Sequence, residues 1–308
     1  MAQTLRPHLR FIDPEILSRI SGMELRARTV VEGFLSGLHR SPYRGFSVEF
    51  AEYRQYTPGD DTRHIDWKVY GRTDRYFLKQ YEQETNLQCH LLLDLSGSMA
   101  GTSGRHLAAP AVSKFDYARY LAAALAYFIF QQRDAVGFMA FDDEIRLDLP
   151  AKFRPGHLYT ILVALENLQP GEGRPLNVDQ LHRFAESAKR KGLVILISDF
   201  FCDLAPVTGA LEHLRFRGHD VIVFQIMEDR ELNFDFDRLT RFVGLEGEAM
   251  TLGMPQDMKR HYLDNLRTHL AGLRSACGVQ RIDYNLLRTS QPLDFALQAY
   301  LAARGGKV

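Results

Sequence analysis

Three features of the sequence predict an α/β fold with a doubly wound, mostly parallel sheet. Leu91-Leu92-Leu93 runs straight into Asp94, and Leu193 to Ile197 runs likewise into Ser198-Asp199. An unbroken apolar run closed by a turn marks a strand buried on both faces, the usual state of a central parallel strand. From residue 88 onward such runs alternate with segments of helical character, as in a sheet covered by helices on both sides.

The elements follow in order. Asp13-Pro14-Glu15 is a helix start, and Ile16, Ile20, Met23 and Val30-Val31 give residues 1–40 a broken apolar face. Phe46, Val48 and Phe50 alternate with polar neighbours as a half-buried strand does. Thr57-Pro58-Gly59-Asp60 is a turn, and Trp67, Val69, Tyr76, Phe77 and Leu78 predict further short strands. The chain therefore divides into an N-terminal helical segment (1–45), a small β-rich segment (46–86) and the α/β domain (87–304). In that domain strands are expected at 88–93, 135–141, 145–149, 193–198, 220–227 and 279–284, with short outer strands at 241–245 and 249–252. Residues 100–112 read as a Gly/Ala-rich loop. Ser113 caps a helix to about Arg133, with Asp116 at the capping-box position. Further helices are predicted at 157–168, 178–191, 207–216, 255–277 and 292–303.

Composition narrows the function. The 308 residues are 45% hydrophobic and 25% charged, ordinary for a globular chain. Lys and Arg together number 38, as do Asp and Glu, so no overall field favours nucleic acid or an anionic membrane. Cys89, Cys202 and Cys277 are scattered and read as reduced, mostly buried thiols. Residues 1–10 lack the apolar core of a secretory signal, and the most apolar run, Leu121 to Phe130, is far short of the roughly 20 residues of a spanning helix. A soluble, cytoplasmic protein without a membrane span is expected. The 11 His show no zinc-site spacing, and His90 reads as a satisfied core histidine.

The chemistry concentrates after the first core strand. Asp94 falls at that strand's carboxyl end, where open α/β sheets place their ligand sites. With residues 94–98 extended, alternation aims Asp94, Ser96 and Ser98 the same way. One carboxylate and two hydroxyls beside Gly97 make half a cage for a hard cation, and Mg²⁺ suits such a cage because it keeps several waters. Asp199 ends a second core strand and is either a second anchor or a helix cap.

Asp94-x-Ser96-x-Ser98 resembles the metal-ion-dependent adhesion site (MIDAS) of von Willebrand factor A (vWA) domains, whose sheet is Rossmann-like. Ser47-Val48-Glu49-Phe50, Arg54 to Asp61, Arg63-His64-Ile65-Asp66-Trp67 and Lys79-Gln80-Tyr81-Glu82 narrow the resemblance to the bacterial and archaeal family DUF58, over roughly residues 35–300. The resemblance implies a vWA-like domain working beside a MoxR-type AAA+ ATPase. It also implies a metal site of Asp94, Ser96, Ser98 and Asp199, the last commonly reaching the ion through water. A Thr is expected in the loop of residues 170–177, but that loop has none and places Arg174 there, with Glu172 or Asn177 as alternative oxygen donors. A guanidinium has no acceptor, so the alternative is a metal-free site in which Arg174 pairs with Asp94 or Asp199.

Three functions compete. The first is a non-enzymatic interaction module in which a bound Mg²⁺ or Mn²⁺ captures an acidic partner residue. The second is the same scaffold without metal. The third is a Mg²⁺-dependent phosphoester hydrolase of the haloacid dehalogenase type, which needs a second acid where this chain has Ser96. No complete catalytic constellation is present in the sequence. The Pro58-Gly59-Asp60-Asp61 and Arg63 to Trp67 stretches read either as a docking surface or as capped turns, with Trp67 buried against the sheet.

Overall fold

The computed structural model describes residues 22–38, 53–55, 67–79, 87–100, 112–171, 175–234, 240–242, 251–253 and 255–305. The expected helix start at Asp13, the strand at 46–50, the turns at 57–66, most of the 100–112 loop and residues 172–174 lie outside them. The chain forms two compact units, 1–37 with 87–308, and 38–86.

In the larger unit, helix α1 (Met23–Leu38) lays Phe34 edge-on against Phe128, 5.8 Å between ring centres, and sets the Arg26 guanidinium over the Tyr120 ring. The smaller unit holds strand β1 (Tyr53–Gln55), helix α2 (Trp67–Thr73) and strand β2 (Phe77–Lys79), with β1 and β2 antiparallel. The short strand expected around Trp67 and Val69 is thus a helix, and Trp67 is not buried but 63% exposed. Tyr70 sits between Trp67 and Tyr76, stacked on the latter at 4.4 Å. These local ring contacts override the β-propensity of Trp, Val and Tyr.

The main sheet carries the expected architecture. Its strands are β3 (Gln88–Asp94), β4 (Ala135–Phe141), β5 (Ile145–Lys152), β6 (Leu193–Ser198), β7 (Asp220–Met227) and β10 (Asp283–Arg288). They lie in the order β10-β7-β6-β3-β4-β5, all parallel except β5, which returns antiparallel to β4. Counted within this sheet alone, the order is 3-2-1-4-5-6, the Rossmann-like order with its switch point between β3 and β6. A small hairpin of β8 (Thr240–Phe242) and β9 (Thr251–Gly253) stands apart from it.

Helices cover both faces, as the uninterrupted apolar strands require. Leu92, Val194, Leu196 and Val223 pack with Leu181 and Phe184 of α5 (Asp179–Ser187), Val207 and Leu211 of α6 (Leu204–Phe216), and Leu273 of the long α8 (Pro255–Val279). The alternate residues Leu91, Leu93, Ile195 and Ile197 face the other way and are fully buried. That side carries helix α3 (Lys114–Gln131), and helix α9 (Asp294–Gly305) follows β10. Helix α4 (Pro155–Asn167) opens with Pro at its first position and packs beside α3. Truncating a side chain such as Leu196 to Ala in this core costs about 2–5 kcal/mol.

The last strand does not begin at Val279. Helix α8 runs through that residue, the chain turns at Arg281 with φ of 55°, and Asp283–Arg288 pairs with Ile222–Met227. As an edge strand β10 is only partly buried, so its sequence lacks the apolar run that marks β3 and β6.

Candidate functional site: an acid cluster at the switch point

Register fixes the site. β3 and β6 pair through Leu93 and Ile197, so Asp94 and Ser198 leave the sheet side by side. Asp94 Oδ1 accepts the Ser96 backbone N–H (2.7 Å), and its Oδ2 accepts the Ser198 hydroxyl (2.5 Å). Beyond Ser96 the chain is not extended but coils into a 3₁₀ turn, Gly97–Ala100. The two hydroxyls still converge, with Ser96 Oγ and Ser98 Oγ 3.0 Å apart. Ser98 Oγ donates to Asp199 Oδ1 (3.1 Å), so the two strand tips meet and the residues expected to act together do lie together.

Asp199 is held from behind. Phe200, fully buried, adopts a left-handed φ of 54°, a conformation that costs a bulky residue about 1–3 kcal/mol. This sharp turn lets Phe200 N–H reach Ser198 Oγ and Phe201 N–H reach Asp199 Oδ1. Gln225 of β7 donates to the Asp199 carbonyl (2.8 Å) and accepts from the Tyr284 hydroxyl (2.6 Å), which carries the support across to β10. Asp199 therefore ends its strand as an anchored acid.

Two residues of the cluster were not foreseen. Lys114, the first residue of α3, places its Nζ 2.7 Å from Asp199 Oδ2 and 2.6 Å from Glu231 Oε1, with the Phe201 ring 4.8 Å away. Its side chain is 1% exposed. Glu231 belongs to the short helix α7 (Asp229–Asn233), where its other oxygen accepts the Glu228 N–H in a capping box. Burial alone would lower the Lys114 pKa, but Asp199 and Glu231 outweigh it and hold the ammonium above the ordinary lysine value. One signal in the sequence pointed to Lys114. A cation at the first position of a helix opposes the helix dipole, and every other large buried residue of α3 is apolar or aromatic.

Among the described residues no cation pairs with Asp94. Burial, and then the nearby Asp199 carboxylate, push it up to about 7. Among the described residues three carboxylates thus share a single ammonium in a water-poor site, and the available donors are hard oxygens. A divalent cation fits that charge and that donor set, with Asp94, Ser96, Ser98 and Asp199 as the groups to hold it. Among the described residues no three or more His, Cys, Asp or Glu side chains form a metal cage of their own. Such an ion would depend on the hydroxyls and on water.

The loop expected to add a third contribution does arrive here. Gly171 N–H donates to the Leu95 carbonyl (2.6 Å), and Asn177 N–H donates to the Asp142 carbonyl (3.0 Å). Arg174 and Glu172 lie outside the described residues. The side chain of Asn177 is committed elsewhere, since Oδ1 accepts from Asp179 N–H at the start of α5 and Nδ2 donates to the Asp143 carbonyl. Asp142-Asp143 is more than a hairpin tip, because its carbonyls tether this loop and its carboxylates pair with Arg146.

The chain is similar to several known proteins. The family model described as "Protein of unknown function DUF58" matches residues 52–271. The uncharacterized protein Rv1480 of Mycobacterium tuberculosis is 27% identical over 228 residues, covering 71% of this chain and 68% of its own, and a Mycobacterium bovis protein matches equally. Among solved structures, the conserved hypothetical protein BatB of Bacteroides thetaiotaomicron aligns at a TM-score of 0.47 and 14% identity, over 71% of this chain and 99% of that one. The VWA domain of SpRpn10 aligns at 0.36 and 12%, over 68% and 93%. At these scores the fold assignment stands on the strand order itself.

Proposed function

The chain belongs to the DUF58 family, and we propose that it is a non-enzymatic protein-interaction module with a MIDAS-like site at the β3/β6 switch point. Asp94, Ser96, Ser98 and Asp199 would hold Mg²⁺ or Mn²⁺. A bound ion with an open position supplies a centre that an Asp or Glu of a partner completes. The observation that carries the reading is the meeting of the two strand tips through Ser98 Oγ and Asp199 Oδ1. Buried hydroxyls and acids fix that geometry in advance, and Phe200 and Gln225 keep Asp199 aimed into it. By family resemblance the partner is a MoxR-type AAA+ ATPase, and the process is assembly or maturation of another complex.

The hydrolase reading is disfavoured, because Ser96 stands where a second acid is required and its Oγ is bound to Ser98. The metal-free scaffold has one observation in its favour. Lys114 places a cation on Asp199.

Isothermal titration of Mg²⁺ and Mn²⁺ into wild type and Asp94→Ala tests the ion. Binding heat in wild type that disappears in the variant is expected, and no heat in either removes the metal. Affinity purification from the native host tests the partner. An AAA+ ATPase should be recovered with wild type and depleted with Ser96→Ala/Ser98→Ala, whereas an unchanged yield places the contact elsewhere.

A further inference from the structure

We infer that Lys114 is a resident counter-ion of the pocket, seated on Asp199 until a divalent ion displaces it onto Glu231. The second half of this inference rests on the metal reading above; the first half does not.

The position of Lys114 is held against two costs. An ammonium buried to 1% exposure is costly unless compensated, and a lysine at the start of α3 works against the helix dipole. Its four-carbon stem runs through an otherwise apolar face to bring Nζ between carboxylates from two separate chain segments, after β6 and after β7. The Phe201 ring 4.8 Å away supports the charge. Asp199 Oδ2, one of the oxygens a cation would use, is occupied by that ammonium. Two cations cannot share this oxygen cheaply, because they repel at short range in a poorly screened site.

Glu231 makes the displacement feasible. It already accepts from Nζ at 2.6 Å, and its side chain is 20% exposed while that of Asp199 is 1%. A lysine that leaves Asp199 therefore keeps a carboxylate partner and moves toward water. Glu231 is itself fixed by its bond from Glu228 N–H, so this second seat is built before any ion arrives. The pocket then has two states, ammonium-held and ion-held, and Lys114 sets the divalent concentration at which one gives way to the other.

The test is Mn²⁺ binding to the full chain, followed by electron paramagnetic resonance of the free ion, with circular dichroism to verify folding. Lys114→Met keeps the apolar stem, removes the charge and should tighten Mn²⁺ binding by about tenfold or more. Glu231→Gln leaves Asp199 as the only acid paired with Lys114 among the described residues and should weaken binding about threefold or more. This second variant decides the matter if Lys114→Met fails to fold. Binding to Lys114→Met but not to wild type would uphold Lys114 as the resident cation and remove ion capture by the wild-type protein. Mn²⁺ bound by wild type and lost in Asp94→Ala, but no tighter in Lys114→Met or no weaker in Glu231→Gln, would overturn the inference and leave the metal reading intact. No binding by any variant would overturn the displacement and the metal reading together.

Discussion

At the carboxyl ends of β3 and β6 every side-chain oxygen of Asp94, Ser96, Ser98 and Asp199 has a hydrogen-bond partner, and a buried ammonium completes the set. Toward the amino end of the same sheet, two imidazoles are treated in the opposite way. His90 Nε2 and His219 Nδ1 are buried with no hydrogen-bond partner among the described residues, and the Phe184 ring packs against both histidines. Burial, aided by His219, pushes His90 down to about 4. Burial lowers His219 as well. One end of the sheet gathers buried charge and answers it with counter-charge, while the other buries two imidazoles whose charged forms are disfavoured. In a sheet of this order the connections diverge at the switch point, and that is where the acid cluster sits.

The comparison breaks most sharply at Lys114. Without added metal, Lys114→Met leaves Asp199 buried and uncompensated, so chemical denaturation should show a loss of about 3–5 kcal/mol. An equally stable variant would show that the charged end does not depend on its ammonium.

At the neutral end the perturbation is acid. His90 has a folded pKa of about 4, below the ordinary 6.5, so its contribution is fully present above pH 6.5 and is lost as pH falls from there toward 4. The loss is at most about 3 kcal/mol. His90→Leu should flatten that part of the stability-versus-pH curve, and an unchanged slope would assign it to other groups.

The smallest expected effect lies beside it. A Cβ on Gly192, just before β6, would stand 2.2 Å from the Gln88 carbonyl oxygen, against backbone that cannot yield easily. Gly192→Ala should cost about 1–3 kcal/mol in thermal melts while leaving Mn²⁺ binding at the far end within about twofold of wild type.

Much of the charged end was legible because strand and site share one signal. The runs Leu91–Leu93 and Leu193–Ile197 are apolar since both faces of β3 and β6 are covered, and an acid after such a run must sit at the sheet's rim. The neutral end was less legible. His90 reads as a satisfied core residue, yet its Nε2 has no partner among the described residues, and nothing in the adjacent sequence reveals what packs on a histidine. Lys114 and Glu231 escaped for a similar reason. Lys114 stands against its helix dipole, but only the topology brings it to Asp199, 85 residues away, and to Glu231, 117 residues away. Val279 was assigned to a strand because an apolar residue beside a turn suits either element; helix α8 claims it because Arg281, not Gly278, makes the turn.

The parallel register of Leu93 with Ile197 also has a consequence in time. A parallel neighbour separated by more than a hundred residues closes late, since long-range pairing must overcome loop entropy before it is rewarded. During synthesis Asp94 emerges from the ribosome well before Asp199 exists, so the nascent chain carries an isolated acid and no pocket. Any partner that recognises the finished cluster therefore reads, in the same contact, that translation has passed β6 and that the sheet has closed.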